Sequence, residues 1–223
     1  MRVLLPLVFG IVGTAILVSL GVWQVQRLQW KEAILAQIDT RIMDAPVALP
    51  VAPTEADDEY LPVTVVGRYE AAAVDVLVST KERGPGFRAV TVFVTEDGRR
   101  ILVDRGFVPE AMKADPRGEG LAEVTGNLLW PDEVDGFTPE PDLGRNLWFA
   151  RDLPAMAAAL NTEPVLVVLR NGSGPDTTAT PMPVDSVGIS NDHLEYAVTW
   201  FSLAAIWVLM TGYFLWRQRR PAS

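Results

Sequence analysis

A single imidazole and three aromatic rings mark the part of this chain whose residue types best suit the binding of a cofactor. The chain has 223 residues, with one histidine, His193, and no cysteine. Tyr196, Trp200 and Trp207 follow His193 at offsets that place all four side chains near one face of a helix. A haem iron accepts one neutral imidazole nitrogen, and aromatic rings pack on its macrocycle. The pattern therefore suits a flat, apolar cofactor such as haem.

The same residues have a second interpretation, because they stand at the start of a long apolar segment. Tryptophan and tyrosine are common at membrane interfaces, and a histidine there can simply contact water. Glu195 is two residues from His193, so on a helix its side chain points in another direction. It is either an interfacial carboxylate that reaches water or a functional charge at the edge of the hydrocarbon.

The composition excludes several kinds of site. Without cysteine there are no disulfides, thiolate zinc sites, iron–sulfur ligands or cysteine nucleophiles, and one histidine cannot supply two imidazole ligands. The 19 Lys and Arg against 28 Asp and Glu, a net charge of −9, argue against nucleic acid as a partner. Neither a Gly-x-Ser-x-Gly elbow nor a phosphate-binding glycine loop occurs, so the chain is predicted not to be an enzyme.

Three arginines lie near turns of the predicted sheet. Arg83 and Arg88 flank a Gly-Pro-Gly-Phe turn, and Arg105 follows Asp104 in a later strand. We expect these side chains either to form internal ion pairs, which are common in small sheets, or to bind anionic groups such as propionates.

Two segments are long and apolar enough to cross a membrane. No charged residue occurs from position 3 to 26 or from 196 to 216. At about 1.5 Å per residue, each run crosses a hydrocarbon core of about 30 Å. The first run exceeds the apolar region of a signal peptide, and no small-x-small cleavage site follows it, so we interpret it as an uncleaved helix.

The first of these helices has small side chains at four positions, Gly10, Gly13, Thr14 and Gly21. Such residues let transmembrane helices approach closely, which predicts packing against the second span or against a partner. The alternative is the ordinary glycine content of a membrane helix.

The hydropathy and charge patterns together predict five segments. They are a first transmembrane helix (1–26), a helical extension with a Pro-rich linker (27–59), a β-rich domain (60–190), a second transmembrane helix (191–216) and a basic tail (217–223). Arg217, Arg219 and Arg220 follow the second span directly, and cytoplasmic ends carry such an excess. Both termini are therefore expected in the cytoplasm of a bacterium, with the acidic middle domain in the periplasm and the helices in the inner membrane.

The sequence pattern between the two spans predicts a small β domain. Strands are predicted over Leu61–Tyr69, Val74–Ser79, Ala89–Thr95, Arg99–Val108, Leu121–Trp130 and Pro164–Arg170. Asp97-Gly98 is a strong hairpin signal, and Asp152 is expected to cap a helix over Leu153–Leu160. The predicted fold class is a membrane protein with two transmembrane α-helices flanking an α+β domain, built on an antiparallel sheet or a small barrel.

Six segments in a fixed order carry a resemblance over nearly the whole chain. They are Gly21-x-Trp23-Gln24-x-x-Arg27-x-x-Trp30-Lys31, Gly67-Arg68-Tyr69, Gly84-Pro85-Gly86-Phe87, Ile101-Leu102-Val103-Asp104-Arg105-Gly106-Phe107-Val108-Pro109, Asn146-Leu147-Trp148-Phe149-Ala150-Arg151-Asp152 and Asn191-x-His193-Leu194-x-Tyr196-Ala197-x-Thr199-Trp200-Phe201. The chain resembles the Surfeit locus protein 1 family, assembly factors of haem–copper (cytochrome c type) terminal oxidases. It departs from the family pattern at Arg88–Phe93, where a Thr-Pro pair is common, and at Pro139–Leu143, where an Asn-rich turn is common.

The resemblance implies a ligand and a partner. Bacterial members are similar to haem a-binding proteins, so His193 would be the ligand of the haem iron. Trp200 would be its nearby aromatic partner, and Tyr196 lies in the same motif. Subunit I of the oxidase is the expected partner, with haem a synthase and the lipid bilayer as further contacts.

Three functions stay open at this stage. In the first, the chain binds haem a and hands it to subunit I. In the second, it is a cofactor-free membrane chaperone that stabilises subunit I while another protein delivers haem, and His193 only shapes the interface. The third is an enzyme at the membrane surface, which is disfavoured because one histidine and no cysteine leave few nucleophile–base pairs.

Overall fold

A computed structural model describes residues 3–175, 178–186 and 189–219, the last residue by its backbone alone. Arg2 and Arg220, which bound the predicted spans and tail, lie outside the described residues. The chain forms two compact units, one of Met1–Gln37 with Ser186–Ser223 and the other of Ile38–Asp185.

The helices and strands have the following bounds. The helices are α1 (Leu4–Ile42), α2 (Glu55–Asp58), α3 (Leu153–Leu160) and α4 (His193–Arg219), and the strands are β1 (Val47–Ala48), β2 (Pro62–Thr80), β3 (Gly84–Thr95), β4 (Arg100–Pro109), β5 (Gly120–Leu128), β6 (Leu147–Trp148) and β7 (Leu166–Ser173). Short 3-10 turns cover Glu110–Met112 and Leu143–Arg145.

Helices α1 and α4 are the two apolar helices that the charge-free runs predict, and both are long enough to cross a membrane. Helix α1 has 39 residues, about 60 Å at 1.5 Å per residue, which is about twice the thickness of a hydrocarbon core. It continues without a break through the predicted extension to Ile42, because Pro6, its only proline, stands in its first turn, where no helical hydrogen bond is lost.

The β domain closes on itself. Strands β2, β3, β4, β7 and β5 pair in that order, and β5 pairs back with β2, so the ring of hydrogen-bonded strands is complete. Of the two architectures left open by the sequence, the strands form the small barrel. Pairing is antiparallel except for β4 with β7 and the short β1 and β6 with β2, which are parallel. A parallel pair requires a long crossover, and residues 110–165 supply it between β4 and β7.

Strand β2 joins two segments that the sequence predicts as separate strands. It pairs with β3 from Gly67 to Thr80, across an irregularity between Tyr69 and Ala73. Its first half also pairs with β5, and its second half pairs with β6. The pairing with β3 resumes beyond the irregularity, so the chain stays in one strand while its second neighbour changes.

Strand β4 is buried on both faces because two apolar clusters lie on either side of it. One cluster fills the barrel and contains Val63, Val65, Tyr69, Phe93, Ile101, Val103, Ala122, Val124, Leu128, Val165 and Val167. The other lies under α3 and contains Val74, Val76, Val90, Leu102, Trp148, Leu153, Met156, Ala157 and Leu166. Successive strand residues point to opposite faces, so Ile101 and Val103 enter the barrel and Leu102 packs under α3.

The local signals in the sequence have the predicted structural roles. The Asp152 carboxylate accepts a hydrogen bond from the backbone N–H of Ala155 and caps α3, as predicted. The hairpin between β3 and β4 turns at Gly98, whose φ of +85° suits glycine. Gly106 has a φ of +103°, and a Cβ there would collide with the carbonyl of Thr180. Glycine is therefore required at Gly106 for both its backbone conformation and its packing.

Candidate functional site

Helices α1 and α4 pack through the small residues of α1. A Cβ on Gly13 would lie 2.5 Å from the indole nitrogen of Trp207, and one on Gly21 would lie 2.7 Å from the ring of Phe201. A Cβ on Gly10 would overlap the side chain of Thr211. The glycines therefore form the seam between the two helices, which decides between the two interpretations of these small residues.

His193 begins α4 and faces α1 at the same seam. Its Nδ1 lies 2.8 Å from Oε1 of Gln24, a residue of α1 that is 8% exposed. The backbone carbonyl of Asp192 accepts the N–H of Tyr196 and starts the helix at this point. The only imidazole of the chain is therefore held by a side chain 169 positions earlier in the sequence.

The two ring nitrogens of His193 have different surroundings. Within the described parts of the chain, Gln24 is the hydrogen-bond partner of Nδ1, and Nε2 has none. A neutral imidazole whose Nδ1–H is donated to an amide oxygen carries a lone pair on Nε2. Histidines that ligate metals commonly have this arrangement, with the second ring nitrogen held by an acceptor. The half-buried His193 therefore fits the chemistry of a nitrogen ligand to iron.

The predicted aromatic stripe divides between two environments. Trp207 faces α1, where its indole N–H donates to the carbonyl of Gly10 at 3.1 Å and its ring packs 5.3 Å from that of Phe9. Tyr196 is 56% exposed, and Trp200 is half-buried. Trp207 thus holds the helices together, whereas roles for Tyr196 and Trp200 at a cofactor stay predictions.

Glu195 points away from His193, as its position two residues along the helix predicts. Its side chain is exposed, and its backbone carbonyl accepts the hydroxyl of Thr199 at 2.9 Å. This placement favours the interpretation of Glu195 as a carboxylate that reaches water.

In the β domain, Arg88 forms one of the internal ion pairs that the sequence suggested. Asp104 is fully buried and contacts Arg88 at 2.5 Å and Arg151 at 3.2 Å. Arg151 also binds Glu133 at 2.5 Å. Burial raises the pKa of Glu133, but the hydrogen bonds and charge of Arg151 together lower it by more. The pKa of Glu133 therefore lies below its usual value. These four side chains form one charge network beside the barrel.

Arg105 has a different role from Arg88. It is 2% exposed, donates to the carbonyls of Arg117 and Gly118, and stacks with its guanidinium 4.0 Å from the ring centre of Tyr69. Both groups border a cavity of about 320 Å³. Burial lowers the pKa of Arg105 and raises that of Tyr69 to about 12. Arg83 is exposed, and its guanidinium lies over the ring of Phe107 at 5.8 Å from the ring centre.

A metal ion without haem would need a cluster of ligating side chains. Among the residues that the structure describes, no three His, Asp or Glu side chains lie close enough to hold a metal ion. A single imidazole at the seam between α1 and α4 is therefore the feature of the described chain that best suits a metal-containing group.

Several known proteins are similar in sequence to this chain over most of its length. The sequence model of the SURF1 family matches residues 11–205. The chain belongs to the SURF1 family. It is 33% identical to Surfeit locus protein 1 of Xenopus tropicalis and 34% identical to that of Homo sapiens, over 84% of this chain and 68% and 70% of those proteins. A SURF1-like protein of Drosophila melanogaster is 34% identical over 84% of this chain and 70% of its own length. The predicted resemblance is confirmed.

Sequence reasoning missed the contact of Gln24 with His193, although Gln24 stands in the first of the six segments of the SURF1 pattern. The signal was present in its chemistry. Gln24 is a polar side chain inside a charge-free run, and such residues in membrane helices commonly face a polar partner rather than lipid. Its partner could not be read from the sequence, because nothing in the spacing pairs position 24 with position 193.

Proposed function

We propose that this SURF1-family chain is a membrane-bound assembly factor for a haem–copper terminal oxidase, and that it binds haem a and passes it to subunit I. Family membership supports the assembly role. The observation that carries the haem role is the state of His193, whose Nδ1 is occupied by Gln24 and whose Nε2 lacks a protein partner among the described residues. Haem a, when bound, would supply an iron that accepts a nitrogen ligand.

The residues of this chain have simple tasks in that function. His193 presents the lone pair of Nε2, and the helix seam holds its ring in place. Trp200 and Tyr196 lie one to two turns further along α4 and offer aromatic surface to a macrocycle. No covalent step is required, so the chain acts as a holder and not as an enzyme.

The proposed location is a bacterial inner membrane. Helices α1 and α4 cross it, both termini lie in the cytoplasm, and the β domain lies in the periplasm. Support comes from the length and apolar composition of the two helices and from Arg217, Arg219 and Arg220, which follow the charge-free run of the second span in the sequence. In this orientation His193 lies at the periplasmic boundary, where subunit I and haem a synthase are membrane partners that it could meet.

The test is the absorption spectrum of protein purified in detergent from cells that make haem a. The affinity tag must contain no histidine, because His193 is the only one in the chain. Wild type is expected to retain haem a, and His193→Ala is expected to lose it. Thr199→Ala is the matched control, since Thr199 is exposed on the same helix and its hydroxyl bonds only to its own helix backbone among the described contacts.

Two results would contradict the haem role. One is wild type that carries no haem, and the other is His193→Ala that keeps haem with an unchanged spectrum. If the haem-free protein still captured subunit I, the cofactor-free chaperone would be the better account. Trp200→Leu is expected to weaken haem binding less than His193→Ala, because it removes packing surface and not the ligand.

A further inference from the structure

Gln24 is the buried polar residue of α1 that contacts the candidate ligand. Its side-chain oxygen lies 2.8 Å from Nδ1 of His193, and the residue is 8% exposed although the flanking Trp23 is half exposed. In a membrane a buried amide without a partner is costly, so this contact has a strong reason to persist.

The contact can take two forms with opposite chemical results. If the amide oxygen accepts Nδ1–H, the lone pair of the neutral imidazole is on Nε2. If the amide NH2 donates to a bare Nδ1, the proton is on Nε2, and that nitrogen cannot bind a metal. The observed pairing of Oε1 with Nδ1 corresponds to the first form.

We propose that Gln24 is a positioning residue. It holds His193 as the Nδ1–H tautomer and so presents the lone pair of Nε2 to the haem iron. The part that concerns iron rests on the proposed function, whereas the tautomer does not. Because the two side chains come from different helices, His193 has the tautomer that can bind iron only when α1 and α4 are paired. A hydrogen bond on Nδ1–H also makes Nε2 a stronger donor to a metal.

The tautomer can be measured without any haem. His193 is the only histidine, so protein labelled with ¹⁵N-histidine gives the signals of one imidazole. In detergent at a pH where the ring is neutral, wild type is expected to show a protonated Nδ1 and a bare Nε2. Gln24→Leu is expected to shift the ring toward the Nε2–H form, which neutral histidine side chains favour in water.

Two further variants separate positioning from general disturbance. Gln24→Glu keeps an oxygen acceptor and is expected to keep the Nδ1–H tautomer. Gln26→Leu makes the same substitution at an exposed position two residues away and is expected to change nothing. If wild type shows Nε2–H, or if Gln24→Leu leaves the tautomer unchanged, the proposal is wrong.

Haem a titrated into the apoprotein gives the second readout. Loss of a metal ligand's outer hydrogen bond commonly weakens binding about 10- to 100-fold, so Gln24→Leu is expected to raise Kd within that range. The reduction potential of haem a bound to Gln24→Leu is expected to rise above the wild-type value. The potential of haem a bound to Gln24→Glu is expected to stay at or below the wild-type value. Unchanged affinity and potential in Gln24→Leu would overturn the positioning role while leaving His193 as ligand. If no variant binds haem but the tautomer shifts as expected, the proposed function fails and the assignment of Gln24 stands.

Discussion

The two units of this chain bury polar side chains for different reasons. In the β domain, the buried carboxylate of Asp104 is matched with Arg88 and Arg151, and the buried guanidinium of Arg105 with backbone carbonyls. In the two-helix unit, the buried polar side chain Gln24 is matched with one imidazole, and the glycines of α1 pack against Phe201, Trp207 and Thr211 of α4. The domain uses polar contacts to complete a packed core, whereas in the two-helix unit such a contact joins the two helices at the candidate ligand.

The difference follows from the surroundings. The β domain gains stability by removing apolar side chains from water, so large residues such as Phe93 and Leu102 are inside. Between helices in lipid there is no such driving force, and close packing of small residues takes its place. Large apolar residues of α1 and α4, such as Leu5 and Leu209, are therefore exposed.

The largest expected effect is in the buried charge network. Asp104→Ala leaves Arg88 and Arg151 without their shared carboxylate and is expected to lower the free energy of unfolding of the β domain by about 3–5 kcal/mol. Asp142→Asn, which alters the exposed pair with Arg145, is the control and should cost far less, because water screens exposed ion pairs. Urea unfolding followed by circular dichroism measures both. Equal losses in the two variants would show that burial does not distinguish these pairs.

A smaller effect is expected at the helix seam. Gly13→Val places a side chain against Trp207 and is expected to destabilise helix pairing by roughly 1–3 kcal/mol, the usual cost of overpacking. Gly212→Val, where a Cβ meets open space, is the matched control on α4. Spin labels on cysteines introduced at the exposed Val8 and Met210 report the pairing in a chain without native cysteine. Distance distributions that stay narrow in Gly13→Val would contradict the glycine seam.

A single hydrogen bond between the helices should matter less. Trp207→Phe removes the indole N–H that donates to Gly10 and is expected to cost about 0.6 kcal/mol, the average for such bonds in a membrane protein. The same spin labels, followed through a denaturant titration, measure this change. Trp23→Phe on the exposed side of α1 serves as control. A loss as large as that of Asp104→Ala would mean that the helix unit depends on polar contacts as strongly as the β domain does.

At neutral pH the smallest effect is expected at Tyr69. Its pKa rises from 10 to about 12 on folding, so its contribution to stability is complete below pH 10 and is lost as the pH rises from 10 toward 12. Tyr69→Phe should therefore unfold like wild type near pH 7 and lose less stability than wild type above pH 10. Phenolate absorbance and unfolding curves over this range measure the shift. If Tyr69 ionised near pH 10 without loss of stability, its hydroxyl would not be buried as the structure has it.

The fold was predictable where neighbouring residues determine it. The hairpin at Asp97-Gly98, the cap at Asp152 and the two apolar helices follow from local chemistry, and the structure contains all of them. The parallel pairing of β4 with β7 and the union of two predicted strands in β2 were not predicted. Both depend on which distant segment lies beside a strand, and hydrophobic alternation is the same for either neighbour.

The candidate site shows the same division. The sequence alone determined that the chain has one imidazole, that it stands at the start of an apolar helix and that aromatic residues follow it. The tertiary structure decided which ring nitrogen Gln24 contacts, because a glycine seam brings α1 against α4 and places Gln24 on Nδ1. It also assigned Arg88 to an ion pair and Arg105 to backbone carbonyls. Spacing along the chain fixes the face of one helix, but a hydrogen bond between helices requires that both be packed.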